Sequence, residues 1–252
     1  MTIMRNRIKR LVESVAGSMG YAVMPHWRLQ QYEVMQHLKS LFEMLQVDCI
    51  LDVGANRGQY RDFLRIGVGF TGTIISFEPI AENVRVLTER AAADDRWTVL
   101  PLALGREDHP AEINVTVATE FSSFLRPGGA AISDIAALSM VERTETVQVR
   151  RLDSIFQDMI ATHGAKNIFL KMDTQGYDLD ILQGAMRSLE WTRGLQSEVS
   201  VIPLYDGIKG YLESMAFMQD LGFHVTGMFP VRRDRLLRVI EFDCVMRRMD
   251  HV

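Results

Sequence analysis

The sequence predicts an α/β fold with a doubly wound, mostly parallel sheet, and three features of the 252-residue chain point to it. An apolar strand at 49–53 leads through a glycine turn and a helix to a second strand at 73–77, which is followed by Glu78. From residue 153 onward, helical and strand-like segments alternate, as they do where crossovers join parallel strands. The last two strand-like segments are joined by a short turn at 230–235, so we expect one antiparallel strand near the edge of the sheet.

The remaining elements follow from apolar spacing. Residues 1–47 are predicted to be an N-terminal helical extension, and Val34, Leu38 and Leu41 have helical spacing in its second helix. Residues 48–252 are predicted to form the α/β domain. Within it we expect further helices at 57–66, 82–93, 153–162, 177–189 and 208–221, and further strands at 97–104, 167–172, 194–201, 223–228 and 238–246.

Residues from about 108 to 151 interrupt this alternation. Segments 110–118 and 147–152 alternate apolar and polar residues, as half-exposed strands do. Residues 119–135, between them, are rich in serine and glycine. We therefore expect a small antiparallel insertion with a long loop.

Composition excludes several classes of protein. The formal net charge is −4, which argues against a protein that binds the phosphate backbone of a nucleic acid through a basic face. Cys49 and Cys244 are far apart in apolar strands and are expected to be buried thiols, so a disulfide framework is excluded and a cytoplasmic location is expected. No apolar run approaches the roughly 18 residues that a membrane-spanning helix needs.

The N-terminal segment is basic, with Arg5, Arg7, Lys9 and Arg10, but no long apolar run follows them. We therefore do not expect a secretory signal. A helix here would pack on the domain or on a partner subunit, which would make a homo-oligomer, or it would rest on an anionic membrane as a peripheral contact.

The turn after the first strand indicates the ligand. Asp52-Val53-Gly54-Ala55-Asn56-Arg57-Gly58 has glycines that let the backbone approach a ligand, and Glu78 is spaced to accept hydrogen bonds from ribose hydroxyls. A dinucleotide fingerprint needs a glycine where this chain has Asn56, to make room for a pyrophosphate. The spacing therefore favours a nucleoside cofactor without phosphates, namely S-adenosylmethionine.

Two further acids follow strands of the same predicted sheet. Asp173 comes directly after the most apolar strand, and Glu198 lies late in the next one. Ligands bind at the carboxyl ends of parallel strands, so these acids are expected to share one crevice with Asp52 and Glu78. The alternatives are that Asp52 caps a turn, that Gly54 and Gly58 serve only close packing, and that Asp173 caps the next helix.

Four segments in this order, 50–58, 76–79, 103–105 and 170–177, resemble the motifs of FkbM-type methyltransferases, and the resemblance covers roughly residues 48–245. It implies a class I, Rossmann-like methyltransferase fold and an S-adenosylmethionine-dependent O-methyltransferase that acts on a sugar hydroxyl. The acceptor would be a free oligosaccharide, a glycolipid or a polysaccharide precursor. This chain has Thr174-Gln175 where many family members have Val-Glu, which places a two-acid mechanism at that turn in doubt.

The resemblance also implies roles for individual residues. Glu78 would hold the ribose, Ala103 and Leu104 would lie beside the adenine, and Asp173 would face the transferring methyl group. The methionine end of the cofactor would be surrounded by Asp52, Gly54, Asn56 and Gly58.

A sugar hydroxyl is a weak nucleophile and needs a general base or a cation that lowers its pKa. Asp173 and Glu198 suit either role, as base or as oxygen ligands of Mg²⁺. A histidine base is also open, although His109, His163 and His224 sit in no motif.

Candidate acceptor contacts come from two places. In the 119–135 loop, Phe121 and Phe124 would stack on a sugar while Ser122 and Ser123 bind its hydroxyls, unless the loop is an ordinary surface loop. The others are Tyr205 and Asp206. Competing functions are a methyltransferase for a non-sugar natural product or a nitrogen acceptor, and a non-catalytic scaffold subunit that binds an adenosyl ligand.

Overall fold

A seven-stranded sheet forms the centre of the computed structural model, which describes residues 15–16, 18–21, 29–128 and 137–249. The strands of the described residues are, in chain order, β1 (Cys49–Val53), β2 (Thr73–Phe77), β3 (Trp97–Leu100), β4 (Ala103–Leu104), β5 (His109–Thr116), β6 (Val141–Arg150), β7 (Ile168–Met172), β8 (Thr192–Ser200), β9 (Phe223–Arg233) and β10 (Val239–Arg248). The large sheet has the order β3-β2-β1-β7-β8-β10-β9.

The fold class is confirmed. Strands β1, β2, β3, β7 and β8 pair in parallel, while β10 is antiparallel to both β8 and β9. A second sheet has the order β4-β6-β5, in which β5 and β6 form the expected antiparallel pair. Because β10 alone is reversed, the carboxyl ends of the other six strands of the large sheet lie at one edge.

The helices differ from expectation in detail. The described helices are α1 (Leu29–Leu45), α2 (Gln59–Asp62, continued by a π-helical turn at Phe63–Val68), α3 (Ala81–Ala91), α4 (Leu152–His163), α5 (Asp178–Gln183) and α6 (Tyr211–Asp220). The helix expected over 177–189 ends at Gln183, and Gly184 after it packs on the carbonyl of Gly105, where a Cβ would stand 1.9 Å from the oxygen. The strand expected over 97–104 is divided at Pro101, which has no N–H for a sheet ladder.

Both faces of the large sheet are covered. Helices α4 and α5 bury Phe156 and Leu182 against one face, and α1 buries Leu38 and Phe42 against the other, as its apolar spacing predicts. Both cysteines are buried, and burial raises the pKa of each thiol to about 12.

One expectation falls on residues that cannot be compared with the structure. The basic residues 5–10 lie outside the described part of the chain. Within the described part, no helix has the length and apolar content to cross a bilayer.

Candidate active site

The turn after β1 fits tightly against the turn after β7. Gly54 has a φ of 79°, and a Cβ there would stand 2.1 Å from the carbonyl oxygen of Asp173. The glycine is therefore needed for contact between the two turns. Gly58 begins α2 with a φ of 87° and faces the Trp97 ring, so it serves packing and lines neither of the two pockets described below.

An apolar pocket opens at the carboxyl ends of β1 and β2. It encloses about 620 Å³ including its open mouth. The predicted Ala103 and Leu104 are among its walls, and Glu78 lies at its base. Its other apolar walls are Val53, Phe77, Pro79, Ile80, Ile113 and Phe124. A planar base and a ribose suit a pocket with apolar walls and one buried carboxylate.

Glu78 is held by the backbone. Its Oε2 accepts a hydrogen bond from the Asn56 N–H at 2.8 Å, and its Oε1 accepts one from the Ile80 N–H at 2.9 Å. Burial raises the pKa of Glu78 to about 7, against these two hydrogen bonds, which lower it. Oε1 also accepts a hydrogen bond from Asn83 Nδ2 at 3.4 Å. Since a carboxylate oxygen has two acceptor positions, Oε2 keeps one for a ribose hydroxyl.

The charges around the apolar pocket disfavour a phosphate ligand. Its charged lining residues are Glu78, Glu120 and Asp173, and the described lining contains no lysine or arginine. Phosphate sites rely on cations or on a helix N-terminus that points at the anion. The pocket therefore favours a nucleoside that carries positive charge, as S-adenosylmethionine does at its sulfonium, and the residues present fit that cofactor.

A polar pocket adjoins the apolar one on the side of α1. The two share Gly54, Asn56, Glu120 and Asp173, and the polar pocket is further lined by Gln31, Val34, Ala55, Gln59, Tyr60, Phe63, Lys171, Gln196, Glu198, Val231 and Asp243. Asp173 thus lies where the two pockets meet, and Glu198 lies on the polar side.

Gln175 links the two predicted catalytic acids. Its Nε2 donates hydrogen bonds to Asp173 Oδ1 at 3.2 Å and to Glu198 Oε2 at 2.9 Å. Burial, followed by the charge of Asp173, raises the pKa of Glu198 well above its ordinary value. The Asp173 side chain, in contrast, is 40% exposed and pairs with Lys171 Nζ at 3.5 Å.

The donor set does not fit the expected Mg²⁺. An amide nitrogen of Gln175 lies between the two carboxylates, and the Lys171 ammonium faces Asp173, so protein donors take the place that a cation would need. The described residues also contain no group of three or more His, Cys, Asp or Glu side chains arranged for a metal ion.

Asp52 is fully buried and lines neither pocket. Its carboxylate accepts a hydrogen bond from Ser76 Oγ at 3.1 Å and pairs with Lys171 Nζ at 3.1 Å. Burial lowers the pKa of Lys171, but the charges of Asp52 and Asp173 outweigh it and raise the pKa overall. The structure thus gives Asp52 a supporting position under the glycine turn.

Residues 119–128, the described part of the 119–135 loop, are called the serine loop below. Some of its side chains make structural contacts. Ser122 Oγ accepts a hydrogen bond from the Thr116 N–H, and Ser123 Oγ donates one to the Gln175 carbonyl at 2.9 Å. Phe124 packs on Tyr177 at a ring distance of 4.8 Å. The predicted contacts Ser122, Ser123 and Phe124 line the apolar pocket rather than the polar one, whereas Phe121, the fourth, is buried and lines neither.

Tyr205 and Asp206 line neither pocket. The buried Tyr205 hydroxyl contacts Gln175 Oε1 at 2.8 Å and the Phe121 carbonyl at 2.9 Å, so it joins the loop to the acid pair from behind. The histidines expected as alternative bases, His109, His163 and His224, also lie outside both pockets.

Several polar residues of the site were missed by the sequence reasoning, namely Tyr60, Glu120, Lys171, Gln175, Gln196 and Asp243. Lys171 and Asp243 carry a signal that was available, since each interrupts an apolar strand. A charge in such a strand is rarely buried without a partner. The other four carry no such pattern.

The strand order is that of a class I, Rossmann-like methyltransferase fold, and the carboxylate after β2 stands in a pocket whose described lining has no lysine or arginine. A family model described as the methyltransferase FkbM domain matches residues 52–225. The chain belongs to this family of S-adenosylmethionine-dependent methyltransferases. No curated protein matches it.

Solved structures with a similar fold are distant in sequence. An FkbM methyltransferase from Methylobacillus flagellatus is 17% identical over 79% of this chain, with a TM-score of 0.48. The chain spans 43% of that protein's length. A methyltransferase from Aquifex aeolicus is 14% identical over 94% of this chain and 98% of its own, with a TM-score of 0.44. The 1,6-didemethyltoxoflavin-N1-methyltransferase of Burkholderia thailandensis, solved with S-adenosylhomocysteine, is 10% identical over 87% of this chain and 80% of its own, with a TM-score of 0.45.

Proposed function

We propose that this protein transfers a methyl group from S-adenosylmethionine to a hydroxyl group of a sugar. The observation that carries the proposal is the position of Asp173 at the junction of the apolar and polar pockets, where Gln175 joins it to Glu198. A carboxylate at this junction can reach an acceptor in the polar pocket and a reacting group at the end of the apolar one.

The proposed cofactor contacts follow from the apolar pocket. Glu78 accepts hydrogen bonds from the ribose diol, and the walls that include Ala103 and Leu104 hold the adenine. Asn56 and Glu120, which line both pockets, are suited to the methionine end, where Glu120 meets the amino group. Asp52, Gly54 and Gly58 act through the shape of the turn.

In the proposed reaction, Asp173 is the general base. S-adenosylmethionine, when bound, supplies an electrophilic methyl group. The acceptor oxygen forms a bond to that methyl carbon as the carbon–sulfur bond breaks, and the hydroxyl proton passes to Asp173. Lys171 and Gln175 hold the carboxylate in place, and burial disfavours ionisation of Glu198. This arrangement needs only one ionised acid, so the absence of Val-Glu after Asp173 does not remove the base.

The acceptor assignment rests on the chemistry of the polar pocket. Its described lining offers carboxylates, amides and the Tyr60 hydroxyl, which are hydrogen-bonding groups that suit a polyhydroxylated acceptor. Ser122, Ser123 and Phe124 would contact the acceptor only where it reaches the rim of the apolar pocket. Tyr205 would act indirectly through Gln175, and Asp206 remains a candidate for a longer acceptor.

Replacing the base tests the mechanism. We expect Asp173→Asn to lower kcat with a responsive sugar by roughly 10²–10⁴-fold, because general base catalysis contributes about that much. Binding of S-adenosylhomocysteine should change by only a few-fold. Radiolabelled methyl transfer to a panel of sugars measures the first quantity, and isothermal titration measures the second.

The matched control is Asp220→Asn, which removes an exposed carboxylate at the end of α6. It should leave both quantities unchanged. Full activity of Asp173→Asn would reject the base assignment, and a wild-type protein that does not bind S-adenosylhomocysteine would reject the cofactor site. Cofactor binding without transfer to any sugar would favour the non-sugar, nitrogen-acceptor or scaffold alternatives. Activity should persist with a chelator, since the acid pair does not fit Mg²⁺.

A further inference from the structure

The turn between β9 and β10 projects two leucines into solvent. Leu236 and Leu237 are 77% and 75% exposed, the highest values among the large apolar side chains of the described residues. Adjacent leucines at the tip of a hairpin contribute almost nothing to the core. Folding alone therefore does not explain their presence there.

The backbone at this tip is strained. Leu237 has a φ of 65°, a conformation that glycine or asparagine adopts easily and that a leucine side chain disfavours. Asp234 holds the turn by accepting hydrogen bonds from the N–H groups of Leu236 and Arg238, both at 2.9 Å. Two hydrogen bonds thus hold the turn. It keeps both leucine side chains exposed, although the backbone conformation of Leu237 costs free energy.

The same segment is strongly basic. Residues 230–238 contain four arginines and one aspartate, in a chain whose formal net charge is −4. Asp234 pairs with Arg238 at 2.7 Å, while Arg233 and Arg235 are exposed beside the leucines. The tip therefore combines an apolar point with surrounding positive charge.

The hairpin stands at the end of the large sheet where the proposed active site lies. Strand β9 runs parallel to β8, because both are antiparallel to β10, so its carboxyl end lies at the same end of the sheet as those of β1, β2, β7 and β8. Val231 at its end lines the polar pocket, and the Arg232 guanidinium lies 4.9 Å from the Phe121 ring of the serine loop. The leucine tip thus rises beside the mouth of the polar pocket.

We propose that the 230–238 hairpin docks this protein on an anionic lipid bilayer, with Leu236 and Leu237 inserted between the headgroups and the arginines on the anionic surface. Two leucines on a narrow tip suit insertion into a bilayer, and they offer far less area than the roughly 1,200–2,000 Å² that a stable protein interface buries. A second copy of the chain would oppose one basic tip with another, which is unfavourable. If the proposed function holds, docking turns the polar pocket toward lipid-linked acceptors, but the docking itself does not depend on that function.

Vesicle binding by the full chain tests the proposal. We expect the protein to co-sediment with vesicles of equimolar phosphatidylglycerol and phosphatidylcholine, and to bind weakly to phosphatidylcholine alone. In the double variant Leu236→Ser/Leu237→Asn, asparagine accepts the left-handed backbone. The partition coefficient of this double variant should be lower than that of the wild type by on the order of a hundredfold, since burial of each leucine contributes about tenfold. High salt should also weaken binding.

The matched control is Ile66→Ser, which removes an exposed apolar side chain from the π-helical turn after α2, away from the hairpin. It should bind vesicles as the wild type does. The thermal midpoint of each variant verifies folding without reference to activity. Equal binding by the double variant and the wild type, no binding to anionic vesicles, or equal binding to both vesicle types would overturn the proposal. So would a loss of oligomer mass in the double variant by light scattering, which would assign the tip to self-association.

Discussion

Burial makes the ionised form of Glu78 costly in free energy unless a ligand donates hydrogen bonds to the carboxylate. Burial raises its pKa to about 7, so near neutral pH about half of the free protein carries a neutral Glu78. In the proposed complex, a ribose hydroxyl would donate to the ionised form and stabilise it. Ligand binding therefore lowers the pKa of Glu78, and protons and ligand compete for the pocket.

This competition predicts a pH dependence of cofactor affinity. Between pH 8 and pH 6 the Kd of S-adenosylhomocysteine should rise by roughly tenfold, since at pH 6 a proton with a pKa near 7 must leave Glu78 before the ligand binds. Isothermal titration across this range measures the slope. Glu78→Gln should bind more weakly at pH 8 and show a flat profile, while Glu112→Gln, which changes an exposed glutamate on β5, should keep the wild-type slope. A slope that survives Glu78→Gln would assign the titration to another group.

At the scale of elements, the site depends on how closely two turns approach each other. The turn after β1 leaves no room for a side chain, because the carbonyl of Asp173 occupies the space that a Cβ of residue 54 would fill. The same contact holds Asp173 at the junction of the pockets. The packing of the two turns and the position of the proposed base therefore depend on the same contact.

Two glycines with nearly the same φ allow the effect of this packing on stability to be distinguished from that of conformational strain. Gly54 and Gly69 have φ values of 79° and 80°, but a Cβ at Gly69 would meet nothing within 4 Å. We expect Gly69→Ala to lower the free energy of unfolding by about 1–2 kcal/mol from strain alone. Gly54→Ala should lower it by a further 1–3 kcal/mol, because the turns must move apart. Urea unfolding measures both, and equal losses would contradict the packing role.

How far the sequence predicts this site depends on how far apart along the chain the interacting residues are. The strand-turn-helix unit and Glu78 are recognisable because their spacing is local. The buried row Ser76, Asp52, Lys171 and Gln196 depends on strand register, which pairs Asp52 with Ser76 on one side and with Lys171 on the other. No local pattern encodes that register. Gln175 is a similar case, since its bridge between two acids needs the β7 turn and β8 to be side by side.

At the scale of the whole molecule, the protein carries a group of buried acids that resist ionisation. Burial raises the pKa of Glu78 and Glu241 to about 7 and that of Asp243 to about 6, and it raises the pKa of Glu198 as well. In the unfolded chain such groups ionise near pH 4. Between about pH 4.5 and 7, the folded protein therefore binds more protons than the unfolded chain does.

This difference predicts that the ligand-free protein loses stability as the pH rises. The free energy of unfolding changes with pH in proportion to the protons bound by the unfolded chain minus those bound by the folded protein. That difference is negative here, so stability should fall from pH 5.5 to pH 8 by up to about 1.4 kcal/mol per pH unit for each acid still titrating. Burial lowers the pKa of His37, which opposes the trend only below about pH 6.5. Urea midpoints across this range measure the slope, and Glu241→Gln should reduce it because one titrating acid is removed. Stability that rises with pH over this interval would mean that these acids are ionised in the folded state, against the direction in which burial shifts their pKa values.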